Sequence, residues 1–279
     1  MQASTYLPYL AVVLNYALVA TDFWRAASKS NASPQFENPQ SVLSLRWHSG
    51  LIALGLLIHG ALLYQDIFIG DLNLNIANTV SAILWLTVLI YWGANFKHQL
   101  NGLQAFVLPP AAIAVAIQGI FHNSYISAYA SDTLFIIHIA IAMTAYSLFT
   151  FAALHALLMA LAERSMHQKN NLIRLPSFPP IMMMEVLLFR IIGLGFVLLT
   201  FTLISGMLFS EQIFHQALKM NHKNIFAIIS WLIYGGLLFG RLQYGWRGRT
   251  AIRWTLSGFV ILLLAYVGSK FVLEVLLGR

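Results

Sequence analysis

The residues with the most chemistry to offer in this chain are its nine histidines, and two of them sit where an ionisable group is expensive to keep. From Thr133 to Ala162 no residue carries a formal charge, a run long enough to cross a ~30 Å hydrocarbon layer with some overhang. His138 lies inside it. His59 lies inside a second apolar run, Leu45 to Tyr64. A titratable side chain at membrane depth is usually turned toward protein, a cofactor or water. His59 is about five or six residues from the far end of its run and His138 as far from the start of its own, so at ~1.5 Å per residue both lie ~8 Å below one interface. Two neutral imidazoles at one level on facing helices are what axial ligation of a flat haem needs. Gly55, on the His59 stripe, and Ala142 and Ala145, beside His138, are small enough to leave room for the macrocycle. A second reading stays open: glycine and alanine also allow close helix approach, with the histidines bonded to neighbouring helices.

His48 and His155 form a second candidate pair near the opposite ends of the same two helices. His48 is eleven residues from His59, so the two share a face ~16 Å apart. His155 is seventeen residues from His138, which turns it ~100° around its helix and off the His138 seam. Packing, ligation and proton relay are all compatible with these two. His98, His122, His167, His215 and His222 fall in connections, where solvated histidines need no special role. Phosphate-binding glycine loops, Gly-x-Ser-x-Gly and His-Glu-x-x-His are missing, and no cysteine is present. Nothing in the residues demands catalysis, and no catalytic residue is assigned.

The elements that must position these side chains follow from composition. With 59% hydrophobic and 9% charged residues, the chain is an integral membrane protein. The apolar segments run Tyr6 to Phe23, Leu45 to Tyr64, Ile76 to Asn95, Leu103 to Phe121, Thr133 to Leu161, Leu187 to Phe209, Ile225 to Phe239 and Trp254 to Leu277. The first lacks a basic n-region and a cleavage pattern, so it reads as a retained helix. Pro34 and Pro39 mark the first connection as a loop, and Pro176, Pro179 and Pro180 break the chain before the sixth segment. Eleven of the sixteen Lys and Arg residues lie in the odd-numbered connections, against Lys219 and Lys223 in the even ones. The positive-inside rule therefore makes the odd connections cytoplasmic. The expected architecture is a single all-α domain, residues 1–279: a bundle of eight transmembrane helices with both termini outside. A net charge of +7 would suggest nucleic acid in a soluble protein. Here it is a topology signal, and no nucleic-acid partner is expected.

The carboxyl half carries a resemblance. Leu187-Leu-Phe-Arg190-Ile-Ile-Gly-Leu-Gly195, Trp231-Leu-Ile-Tyr234, Gly245-Trp-Arg-Gly-Arg249 and Ala265-Tyr-Val-Gly268, in that order, resemble the cytochrome c assembly family that includes CcsA and CcmC. The likeness is strongest over residues 132–279. His138-Ile-x-x-x-Met-x-Ala-Tyr146 is similar to the family's external histidine motif, which implies a haem-ligand role for His138. Between Glu211 and Asn224 the tryptophan-rich segment with its Trp-Asp pair is replaced by Gln-Ile-Phe-His215-Gln-Ala-Leu-Lys-Met-Asn-His222-Lys. Phe239 and Leu277 stand about where a membrane histidine and a second external histidine would be. This pattern resembles the smaller branch of YpjD and HemX-like inner-membrane proteins. The resemblance implies a multi-pass protein of the bacterial inner membrane that binds haem b through His59 and His138 and handles haem in transfer, export or cytochrome c biogenesis; with the Trp-Asp segment replaced, it does not imply that the chain attaches haem to a cytochrome. Expected partners are haem, membrane lipids and either a cytochrome c maturation component or an enzyme of haem synthesis. The alternative reading is a non-catalytic scaffold of tetrapyrrole synthesis that acts through its basic cytoplasmic loops.

Overall fold

In a computed structural model the chain is described over residues 2–30, 45–69, 72–98, 103–121, 132–167, 181–214 and 222–268. Eight α-helices follow one another: α1 (Gln2–Ser30), α2 (Leu45–Phe68), α3 (Ile76–His98), α4 (Gln104–Ile120), α5 (Thr133–His167), α6 (Ile181–Phe214), α7 (His222–Tyr244) and α8 (Arg249–Leu263), the last continued by a π-helical turn, Leu264–Gly268. No strand occurs among the described residues. The proline-bearing connections 31–44 and 168–180, the histidines His122 and His215, and the end of the expected eighth segment lie outside the described residues.

All eight expected segments are helices. Six of them are long and apolar enough to cross a membrane by length and composition. The other two, α4 with 17 residues and α8 with 15, are shorter. At ~1.5 Å per residue α4 covers ~26 Å, just under the hydrocarbon thickness. The 35 residues of α5 run well past it. Leu10, Leu57, Ile113, Phe201 and Val260 are all exposed, so the outside is as apolar as the inside. In water such a surface would aggregate; against lipid it is the expected exterior.

Successive helices run antiparallel. Tyr9 early in α1 meets Asp66 late in α2, Asp22 late in α1 meets His48 early in α2, and Glu185 early in α6 meets Arg241 late in α7. One end of the bundle, called here the Asp66 end, therefore carries the start of α5 and the end of α6. The opposite Arg241 end carries the start of α2 and the α7–α8 turn. Helix α1 packs mainly on α4 and α2, α5 mainly on α6, α3 and α8, and α7 on α8 and α6. The halves are joined by α3 and α5, where Ser147 Oγ donates to the Ile83 carbonyl at 3.0 Å and Thr87 Oγ1 to the Ser147 carbonyl at 3.3 Å.

The turn between α7 and α8 explains the Gly-Trp-Arg-Gly spacing. Gly245 takes φ +64° and the Trp246 amide returns 3.2 Å to the Gly240 carbonyl, so the helix ends on a left-handed residue, a position that glycine fills without strain. Gly248, φ +52°, then starts α8. The Trp246 ring folds onto Gly240, where any Cβ would collide with it, and packs 4.9 Å from Trp254.

Candidate functional site

Helix α5 begins at Asp132, whose Oδ1 accepts the Leu134 amide at 2.9 Å and so caps the first turn. That start fixes the depth of His138. Phe135, Ile139 and Met143 pack on a small apolar cluster with Leu63 and Ile67 of α2. His138, ~100° around the helix from Ile139, turns instead to α6, where its Nδ1 lies 2.7 Å from Ser205 Oγ. The Ser205 hydroxyl donates to the Phe201 carbonyl at 2.7 Å, so its oxygen accepts from the His138 Nδ1–H. The ring's lone pair is thereby placed on Nε2. A histidine oriented through Nδ1–H, with Nε2 as donor, is the usual arrangement at metal centres. Around it the space is small-sided: Gly206 lies against Cε1, with a built Cβ 3.6 Å away, and Ala142 is half-buried one turn further on. Ala145 is fully buried. At the same end the Lys223 ammonium stands 5.4 Å over the Tyr266 ring.

His59 is built differently. It is fully buried, and both ring nitrogens are engaged inside the α1–α4 half. Asp66 Oδ2 accepts from Tyr9 Oη at 2.7 Å and from Gln118 Nε2 at 2.8 Å; Gln118 Oε1 accepts from Ser81 Oγ at 2.6 Å. With the Ser81 proton committed, Ser81 Oγ accepts from His59 Nε2–H at 2.9 Å, leaving Nδ1 to face the Tyr16 hydroxyl at 3.5 Å. Every donor thus points toward one carboxylate. Gly55 opens no pocket: a Cβ there would lie 2.6 Å from Tyr16 Cε1 and 2.8 Å from Asn15 Oδ1. Its smallness serves contact with α1.

The two histidines expected to share an iron therefore face different helices, His59 toward α1 and α3, His138 toward α6. An imidazole held through Nδ1 beside Gly206 and Ala142 fits a haem ligand, whereas at His59 both ring nitrogens are held, by Ser81 and Tyr16.

His48 and His155 are not brought together either. His48 Nε2 bonds Asp22 Oδ2 at 2.8 Å within the α1–α4 half, whereas His155 donates from Nε2 to the Met184 carbonyl of α6 at 2.9 Å and stacks near Phe151. Three residues of these networks, Asp22, Asp66 and Gln118, carry no motif. The signal available in the sequence was a carboxylate or amide inside, or one turn beyond, an apolar run.

Comparison with known proteins adds a direct result. The Cytochrome C assembly protein family matches residues 47–277. The chain belongs to that family. Within it, the chain is 32% identical over 166 residues to the "Inner membrane protein YpjD" of Escherichia coli K12, a match covering 60% of this chain and 62% of that protein. It is 25% identical over 299 aligned positions to the "Cytochrome c biogenesis protein CcsA" of Prochlorococcus marinus SARG, covering 94% and 89% of the two chains. An Azospirillum brasilense protein of 28.8 kDa is 34% identical over 142 residues. This family member is a multi-pass protein of the bacterial inner membrane, the location that the name of the Escherichia coli relative states for that protein.

Proposed function

We propose that this family member handles haem in cytochrome c biogenesis, receiving or passing haem b at the Asp66 end of the bundle with His138 as axial ligand. The observation that carries this is the Ser205–His138 pair: it orients the ring, fixes Nδ1–H and directs the Nε2 lone pair. When bound, haem supplies an iron that takes nitrogen donors and two propionates that seek water or cations. Ser205 holds the imidazole against rotation, Gly206 and Ala142 keep the flank of the ring low, and Lys223 gives this end a positive charge. The distribution of basic residues supports an orientation in which all eight helices cross, both termini lie outside, and His138 opens to the outer face. The scaffold alternative draws less support, since Arg241 and Arg249 of the basic turn are occupied by Glu185 and Glu163.

The test is the absorption spectrum of the purified protein, oxidised and reduced. His138→Ala removes or shifts the Soret band; His59→Ala retains the parent spectrum. If His59→Ala changes it as well, the paired ligation read from the sequence is correct and the packing around His59 rearranges on binding. A parent protein without a Soret band after haem supplementation overturns the haem reading altogether.

A further inference from the structure

The α1–α4 half contains a second cluster, at the Arg241 end, that the haem reading does not use. Asp22 of α1, His48 of α2, Tyr91 of α3 and Gln104 of α4 are 8%, 3%, 1% and 2% exposed. His48 Nε2–H meets Asp22 Oδ2 at 2.8 Å; Gln104 Nε2 faces His48 Nδ1 at 3.5 Å; Tyr91 Oη donates to Gln104 Oε1 at 3.4 Å. Of the three histidines that are buried throughout, His48 alone touches a carboxylate among the described residues. The groups that face it are Asp22, Gln104 and, through Gln104, Tyr91; the nearest described basic residue on α1, Arg25, is exposed.

Placing a carboxylate and an imidazole at membrane depth costs several kcal/mol per ion, and an apolar pair of equal volume is commonly no less stable. Stability alone is therefore a weak reason for the pair. The partners supply a better one. An amide and a phenol each both donate and accept, so this site can offer the His48 Nδ1 atom a donor in one protonation state and an acceptor in the other. With His48 neutral, Nε2–H donates to Asp22 and Nδ1 accepts from Gln104. When a proton from water adds to Nδ1, rotation of the Gln104 amide presents Oε1 to the new N–H and turns Nε2 to donate to Tyr91 Oη. The new Nδ1–H gains an acceptor, the Tyr91 hydroxyl proton gives up Oε1, and the contacts that must reform are the two long ones. The loaded Asp22–His48 pair has no net charge; the unloaded pair carries one negative charge. His155 has no such provision: its Nε2–H faces a carbonyl, which only accepts, and its Nδ1 has no partner among the described residues.

We propose that Asp22, His48 and Gln104 form a reversible proton-binding site inside the α1–α4 half, loaded from the aqueous phase at the Arg241 end, one turn from the start of α2. The ligand is a proton, and Tyr91 positions the amide that accommodates it.

Full-length protein labelled with ¹⁵N-histidine and reconstituted in nanodiscs tests this by imidazole nitrogen NMR between about pH 5 and about pH 8. The His48 resonances, assigned by their loss in His48→Gln, should pass from the neutral Nε2–H pattern to imidazolium and back. Asp22→Asn should displace the midpoint, because it removes the carboxylate that His48 faces, and Gln104→Leu should displace it while leaving Asp22 in place. A His48 ring that keeps one protonation state across the range overturns the proposal, as does a titration unchanged by Asp22→Asn. Because the parent protein alone gives the first readout, a variant that fails to fold leaves the proposal open to refutation.

Discussion

At the scale of single residues, Gly55 shows how one feature supports opposite readings until its neighbours are known. On the sequence it flanks His59 and makes space; in the fold it receives the Tyr16 ring, which is wholly buried and cannot retreat. Gly55→Ala should therefore lower stability by about 1–3 kcal/mol through overpacking, while Gly93→Ala, whose Cβ would meet nothing within 4 Å, should be neutral or stabilising by up to about 1 kcal/mol. Thermal unfolding in one detergent compares the pair directly, and equal effects would refute the contact reading. Gly55→Ala should keep any haem spectrum, since Gly55 packs on α1 whereas the Ser205–His138 pair lies between α5 and α6. For His138 the depth was legible, but the Ser205 hydroxyl that orients its ring comes from another helix and was not. For His59 the partners were not legible, because Ser81 and Gln118 come from two other helices and leave no local pattern.

At the scale of elements, helix existence was readable and helix faces were not. Every apolar segment became a helix, since a chain in lipid satisfies its backbone polar groups internally only by coiling or by closing a barrel. Ends moved outward where the sequence offered no stop: α1 continues to Ser30, α5 to His167, and α6 starts at Ile181 rather than Leu187. Faces were hidden because lipid-facing and core-facing residues are alike in polarity, so periodicity has little to report. The turn that holds α6, α7 and α8 was visible only as spacing. Its energetic centre is Glu185, which accepts from Arg241 and lies 3.8 Å from Arg247, while Arg241 also donates to the Trp246 carbonyl and stacks on Phe189. Glu185→Ala should cost about 2–3 kcal/mol, below the ~3–5 of a fully dry pair, because the Arg241 side chain keeps 23% exposure. Adding Arg241→Met should recover most of that loss by removing the stranded cation. A double variant as unstable as the sum of the two single ones would show that the pair is not the clamp.

At the scale of the molecule, the antiparallel sequence of helices fixes which connections share a face, and the charge pattern says which face is cytoplasmic. The first claim rests on contacts such as Asp22 with His48 and Glu185 with Arg241. The second rests on eleven basic residues in odd connections against two in even ones. A chain without cysteine gives a clean way to separate them. His222, at the start of α7, and Arg247, in the α7–α8 turn, are exposed and lie at opposite ends of one helix. A single cysteine at each, probed with a membrane-impermeant maleimide on cells with the outer barrier removed, should label His222→Cys at once and Arg247→Cys only after permeabilisation. The reverse pattern would turn the molecule over, place His138 at the cytoplasmic face and make a haem-handling role there one of supply from inside. Labelling of both without permeabilisation would mean that α7 does not cross, and the eight-span bundle would fail at the helix whose flanking lysines, Lys219 and Lys223, run against the charge rule.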